Sequence, residues 1–382
     1  MSYYNASQPI NIQSVYTQNN VVEFLLKPGT GRALKAGSMR INGYLKVLKT
    51  LPGGSTSMID ERDKVFLNQY AGVHSFFQHV NCSANNRTLE TLANYPRFCS
   101  MVAQHESTPE GLITNSAHAS ELKGCLNNYL LPGNDSVKGI AFSCKPHICL
   151  NKSSTDLPQS KFNEMKITIN LANATQCLYI SGGKPATVLI SALSYELSDL
   201  QLSWMETLEM PGMASEQTVF NLVDNMEQTI TGLNSNIQIK TSKPYNALSM
   251  SFAREDVKDN LYRDSLLSEY IPDIERVEIL LNGIDNPLTY AILPPCYQDI
   301  ALNYYKSLSN SGSVIWKTET GMTNSIMNRF LSENGTFGIG CAFATSQNDV
   351  LQVALTINQN TKYQPSESSI RCFIYVNGYI TL

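Results

Sequence analysis

The sequence predicts an all-β fold made of two antiparallel sandwiches, and three observations carry that expectation. Apolar and polar residues alternate with a period of two, as in strands with one buried and one wet face. Asn, Ser and Thr supply 100 of the 382 residues, and with Gly they are poor helix formers. A turn-rich break, Met210-Pro211-Gly212-Met213, lies near the middle of the chain. It sets the expected division: residues 1–20 as an arm, 21–207 and 208–382 as domains, the latter two each long enough for an eight-stranded sandwich.

In chain order, residues 1–20 contain seven Asn or Gln and read as an arm rather than a core element. In Met39–Leu48, Met39, Ile41, Leu45 and Val47 share one face, and Arg40, Asn42, Tyr44 and Lys46 the other. Lys166–Leu171 alternates strictly through Ile167, Ile169 and Leu171. In Tyr195–Met205 the phase slips at Ser198-Asp199, between the set Tyr195, Leu197 and the set Leu200, Leu202, Trp204. One extra residue there predicts a β-bulge. The same grammar restarts in Asn236–Lys240, Arg276–Leu281, Val350–Asn358 and Ile370–Ile380, where Ile370, Cys372, Ile374 and Val376 share a side. Both halves thus close on an alternating strand. The short matches Ile41-Asn-Gly-Tyr-Leu45 and Val376-Asn-Gly-Tyr-Ile380 are too brief to show duplication. Helical periodicity is scarce: about Thr88–Ala103 (interrupted by Pro96), Arg254–Tyr270, Tyr297–Leu308 and Thr323–Leu331, with no βαβ rhythm.

Charge narrows the functional classes. Lys and Arg number 28 against 32 Asp and Glu, for a net charge of −4, and no stretch concentrates positive charge. A phosphate-backbone binder is therefore disfavoured. No run of about 18 apolar residues suggests a membrane helix, and the first ten residues lack the basic start and apolar run of a secretory signal. The nine cysteines are irregularly spaced and are expected to be reduced and mostly buried. Seven Asn-X-Ser/Thr sequons are expected by chance in so Asn- and Ser-rich a chain, and would matter only in a secreted protein.

The search for chemistry ends without a site. All five histidines (His74, His79, His105, His118 and His147) fall in the first half. The tightest cluster is Cys144-Lys-Pro-His147-Ile-Cys149, with His79 and Cys82 upstream. Zinc needs three or four ligands in tetrahedral reach. Here no second short pair matches the first, and on a strand Cys144 lies opposite His147 and Cys149. Cys99 with His105, and Cys82 with His79, are pairs without local signs of an activated thiolate. Neither Gly-X-Ser-X-Gly nor His-Glu-X-X-His occurs. Lys27-Pro-Gly-Thr-Gly-Arg32 lies between two strands and reads as a hairpin turn rather than a phosphate loop. Asp60-Glu61-Arg62-Asp63 reads as a solvated charge cluster. No catalytic residue, cofactor or metal is expected. The 19 Tyr, against 2 Trp, suit either sandwich cores or large subunit interfaces.

Val65-Phe-Leu-Asn-Gln-Tyr-Ala-Gly-Val-His-Ser-Phe-Phe77, followed by Asn94-Tyr-Pro-Arg97, resembles the first domain of double jelly-roll major capsid proteins of small eukaryotic DNA viruses, the polinton-like, adinto-like and virophage-related lineage. Arg40–Val47, Phe142–Leu150 and Tyr195–Leu202 are similar to that family in order and spacing, and in the second half the likeness rests mainly on Gln217–Met250. The resemblance implies two consecutive eight-stranded antiparallel jelly rolls with short helices in loops. It implies a homotrimeric, pseudo-hexameric capsomer of an icosahedral shell, and no active site. Its partners would be copies of itself, neighbouring capsomers, and penton and minor capsid proteins. Sequence-specific nucleic acid would not be among them; an internal membrane would touch the N-terminal arm. The location implied is the virion, after synthesis inside a host cell. The alternatives are a carbohydrate- or receptor-binding β-sandwich of a spike or vertex, which needs an aromatic platform or calcium site, and a cupin-like metalloenzyme, which needs clustered His and Glu.

Overall fold

A computed structural model describes residues 2–60, 63–106, 120–130, 139–180, 190–240, 242–266, 274–285, 338–342, 345, 349–357 and 370–382. The first half opens with β1 (Tyr3–Ser7), β2 (Val21–Leu26), β3 (Arg32–Leu34), β4 (Arg40–Thr50), β5 (Thr56–Met58) and β6 (Val65–Leu67). It continues through β7 (Phe77–Ala84), β8 (Arg87–Ala93), helix α1 (Tyr95–Glu106), β9 (Ile140–Cys144), β10 (Leu157–Pro158), β11 (Met165–Leu171), β12 (Leu178–Ile180) and β13 (Ala192–Leu208). One sheet contains the path β1-β13-β4-β9, extended by β3, β10 and β5; the other runs β2-β11-β7-β8. β6 and β12 form a separate small pair.

The second half repeats this connectivity. Its strands are β14 (Val219–Ile230), β15 (Asn234–Lys240), β16 (Tyr245–Arg254), β17 (Ile274–Leu281), β18 (Ile284–Asp285), β19 (Gly338–Ala342), β20 (Val350–Ile357) and β21 (Ile370–Thr381). The two sheets run β14-β21-β16-β19 and β15-β20-β17-β18. Matched in order, β1-β13-β4-β9 corresponds to the first of these and β2-β11-β7-β8 to the second. Each half is thus a pair of four-stranded antiparallel sheets in which the eighth strand pairs between the first and third. That is the jelly-roll connection.

This correspondence changes the reading of the N-terminus. The Asn/Gln-rich start contains the first strand of the first sandwich: β1 pairs with β13 from Tyr3↔Glu206 to Ser7↔Leu202. Composition hid it because β1 is an edge strand whose side chains are only partly buried, while its backbone is held by the ladder. Tyr16 anchors the rest of the segment. It is 1% exposed, its hydroxyl donates to the Asn11 carbonyl at 2.9 Å, and its amide donates to Leu197 O at 2.8 Å.

The expected bulge is present. β13 shifts register between Ser198 and Gln201, so Asp199 and Leu200 together face Gly43 of β4, and Asp199 adopts a left-handed φ of 50°. A Cβ on Gly43 would lie 2.8 Å from a Leu200 methyl and 3.0 Å from Ser198 O. The second sandwich has a mirrored arrangement. There β16 carries the extra residue, Asn246, opposite the Gly378 region of β21, and a Cβ on Gly378 would lie 2.7 Å from Pro244 O. The two Asn-Gly-Tyr matches therefore share a local cause, a glycine beside a bulge, on strands that are not topological equivalents.

Three expectations fail. Arg87–Ala93 is a strand, and the helix begins only at Tyr95, because Pro96 suits a first helical turn and not an interior. The link from Lys27 to Arg32 is not a hairpin: β2 and β3 lie in different sheets, so it crosses the sandwich. Asp60 and Asp63 are not a solvated cluster. They clasp the ammonium of Lys49, which reaches Asp63 Oδ2 at 2.7 Å and Asp60 Oδ2 at 2.8 Å, and Asp63 is buried. Of the other helical expectations, the described part of 254–270 holds one short 3-10 turn, Glu255–Val257. Residues 297–308 and 323–331 lie outside the described residues.

Candidate functional site

The histidines and cysteines do not converge on an open centre. On β7, alternation turns His79 outward and Cys82 inward, which separates that pair. Cys99 is buried in α1, and the His105 side chain and His118 lie outside the described residues. His74 and His147 do meet, with ring centroids 5.4 Å apart. His74 Nδ1 lies 3.0 Å from the Tyr95 hydroxyl, which also accepts the His147 amide at 3.0 Å. Glu121 stands 3.9 Å from His74 Nε2 and 2.9 Å from Lys123. Burial pushes the Glu121 carboxyl up, but His74 and Lys123 outweigh it and hold it well below the usual carboxylate range. Burial, then the neighbouring His74, keeps His147 neutral. His74 itself is out of reach of solvent at 2% exposed, and only His147 borders a hollow, of about 410 Å³. The cluster fastens the 3-10 turn Gly72–Phe76 to α1 and to the Glu121 backbone. Cys144 ends β9, and Cys149 opens the 3-10 turn Cys149–Lys152 instead of sharing a strand with His147. The seven described free cysteines are buried, except for the half-buried Cys125.

The feature that organises the molecule is the seam between the sandwiches. Alternation places Cys372, Ile374 and Val376 of β21 on one face, opposite Phe252, Met250 and Leu248 of β16. The other face carries Phe373, Tyr375 and Asn377, and it too is buried. It meets α1 and Asn94. The Tyr375 hydroxyl donates to Asn94 O at 3.2 Å, and the Phe98 and Tyr375 rings lie 5.4 Å apart. The Arg97 guanidinium sits 4.1 Å above the Phe373 ring and donates to Ser265 O at 2.6 Å. Burial brings Arg97 down to about 10, still protonated at neutral pH.

Two buried carboxylates complete the seam. Glu90 of β8 accepts the Cys149 amide and the Val223 amide, each at 2.8 Å, so one side chain ties together three elements and both sandwiches. Asp264 accepts the Asn68 side-chain amide at 2.7 Å and the Leu266 amide at 2.9 Å, and burial pushes it up to about 6. At the other end, Phe162 and Phe220 pack edge to face at 5.5 Å. Ser154 and Val219 exchange hydrogen bonds there. One contiguous cluster of buried apolar side chains runs through both sandwiches, so the pair is joined like a core rather than by a hinge.

Outside the seam, exposed apolar side chains gather at the chain start and the end of β13: Tyr4, Ile10, Ile12, Met205, Leu208 and Met210. Tyr4 and Met205 are directly paired across the β1–β13 ladder. A hollow of about 340 Å³ is lined by Asn19, Gln78, His79, Asn170, Asn173 and Gln176 among others, with no Phe, Tyr or Trp in its wall. Among the described residues no helix is long and apolar enough to cross a membrane.

No family model matches the sequence, and no curated protein matches it. Solved structures do. The Faustovirus major capsid protein aligns with 100% of this chain and 90% of its own, at 10% identity and a TM-score of 0.60. The Sputnik virophage structure covers 100% of this chain and 86% of its own, at 10% identity and a TM-score of 0.57. The mavirus major capsid protein covers 99% and 90%, at 11% identity and a TM-score of 0.50. The chain has the double jelly-roll fold. At 10–11% identity the likeness is one of architecture, and it extends over the whole double jelly roll rather than one sandwich. The sequence signals the seam at Phe373 and Tyr375, which stand where a wet face would show polar residues, but not at Glu90, which has no local mark.

Proposed function

We propose that this chain is a major capsid protein, the repeating subunit of an icosahedral viral shell, acting as a homotrimer of pseudo-hexagonal outline. One observation carries the reading: two sandwiches of identical connectivity are fused through a buried seam into a single block. Three such chains place six similar sandwiches around one axis, which closes a near-hexagonal tile. The division near Glu206–Ser215, between the end of β13 and the start of β14, is the domain boundary on this reading. The chain performs no catalysis, and its place is the virion.

Several features support assembly. Net charge is only −4, so many copies pack without strong repulsion. β15 is an edge strand with mostly exposed side chains, able to face a neighbour. The apolar residues Tyr4, Ile10, Ile12, Leu208 and Met210 would meet a neighbouring capsomer, a penton or minor protein, or an internal membrane. Light scattering on the full chain should give a mass near three times 42.3 kDa, and negative-stain images should show hexagonal outlines. Monomer alone across micromolar concentrations would defeat the reading.

A further inference from the structure

Beside the seam, two core cysteines and the carboxylate that joins the sandwiches come together in one cluster. Cys82 of β7 and Glu90 of β8 are directly paired across their hairpin. Cys149 of the 3-10 turn Cys149–Lys152 arrives from the far side. The two sulfurs and a Glu90 carboxylate oxygen all lie within 4.8 Å of one another. Cys82 and Cys149 are 0% exposed and Glu90 is 3% exposed.

Glu90 is a buried carboxylate that takes part in none of the ion pairs among the described residues. Lys152 acts on it only as a nearby charge. A buried carboxylate without a counter-charge costs several kcal/mol. A carboxylate offers about four lone-pair sites; the Cys149 and Val223 amides occupy two, and the Cys149 thiol takes a third until its proton leaves, so the group can still ligate. Two thiolates and one carboxylate are a donor set that zinc accepts, and ligand atoms all within 4.8 Å of one another are close enough to share one ion. Calcium and magnesium prefer oxygen ligands and would be poorly served.

We propose that Cys82, Glu90 and Cys149 bind a divalent zinc-class cation that pins the β7–β8 hairpin to the 3-10 turn beside the seam. Binding is not a redox step. Each thiol gives up its proton to solvent as its sulfur bonds to the metal, and a third proton leaves if Glu90 was protonated. Three anionic ligands and a dication leave one net negative charge, which Lys152 offsets in part. Protons therefore compete with the metal, and affinity must fall as pH drops. The site stands on its own geometry and does not depend on the capsid reading.

The test uses the full chain, produced with zinc in the medium and purified without chelator or polyhistidine tag. Elemental analysis should find close to one zinc per chain. Cobalt(II) added to metal-free protein should give a near-ultraviolet thiolate-to-cobalt band that Cys82→Ser and Cys149→Ser abolish. Glu90→Gln should keep the band and weaken affinity about tenfold or more. If the serine variants do not fold, chelator added to the wild-type chain should still lower its melting temperature, with zinc restoring it. Less than about a tenth of an equivalent of zinc with no cobalt band would overturn the proposal. So would a band that survives Cys149→Ser, or a Cys82–Cys149 disulfide found by mass spectrometry.

Discussion

Strands β4 and β21 both contain Asn-Gly-Tyr, and in both the glycine lies beside a bulge in the neighbouring strand. Their surroundings differ. β4 alternates strictly between buried and half-exposed residues from Arg40 to Thr50, because one face meets the core of its sandwich and the other meets water. β21 is buried without interruption from Cys372 to Gly378, because one face lines the second core and the other meets α1 and Asn94 of the first sandwich. Alternation thus reports whether a face is wet, and it fades where an antiparallel sheet is covered on both sides. The aromatic pair Phe373 and Tyr375, set where polar residues would otherwise stand, marks the covered second face.

The largest effect should come from cutting into that face. Tyr375→Ala is expected to cost about 3–5 kcal/mol, as for a core aromatic, whereas Lys46→Ala on the outer face of β4 should stay within about 0.5 kcal/mol. Urea unfolding of the full chain measures both. A Tyr375→Ala cost below about 1 kcal/mol would mean that the second face of β21 is wet after all.

Next in size is the response to pH, where seam and sandwich should have opposite signs. Asp264 in the seam is raised from 3.8 to about 6. Its protonated form prefers the folded state. That contribution is complete below pH 3.8 and disappears as pH rises through about 6, for at most about 3 kcal/mol. Glu206 in the first sandwich is buried, which alone would raise it. Hydrogen bonds from Asn5, Trp204, Arg32 and the Gly29 amide outweigh burial and lower it below 4.5. Its contribution is present above 4.5 and vanishes as pH falls through the lowered value. Asp264→Asn should flatten the stability profile between pH 4 and 6, and Glu206→Gln should flatten it below 4.5. Profiles unchanged by either substitution would remove the contrast.

The smallest contrast is between the two bulge glycines. Gly378→Ala meets a backbone oxygen at 2.7 Å and should cost about 1–3 kcal/mol. Gly43→Ala meets first a Leu200 methyl at 2.8 Å, which can rotate away, and should cost less. Equal costs would show that the Ser198 carbonyl at 3.0 Å, not the methyl, limits the first site.

Much of this was legible in residues. The strand periods of Met39–Leu48, Lys166–Leu171 and Val350–Asn358 fall on β4, β11 and β20, and the phase slip at Ser198-Asp199 located a bulge. β1 was not legible, because an edge strand is held by backbone hydrogen bonds that leave no apolar signature. Nor was the start of α1: Leu89 and Leu92 stand three apart, which reads as helix from Thr88 onward, and only the β7–β8 pairing shows which side of Asn94 is strand. The Cys82–Glu90–Cys149 group was half visible, since both cysteines stood out, but Glu90 enters only through its register on β8.

By itself the sequence determined that this chain is all-β, in two halves, with weak charge and no catalytic signature, because period, composition and turn chemistry are local properties of the chain. Tertiary structure decided that β1 is a strand, that Asp60 and Asp63 share Lys49, that β21 is covered twice, and that Glu90 joins the two halves. Those outcomes depend on contacts between residues from 11 to 281 positions apart. Such contacts follow from how the sheets stack and not from the order of residues along any one strand.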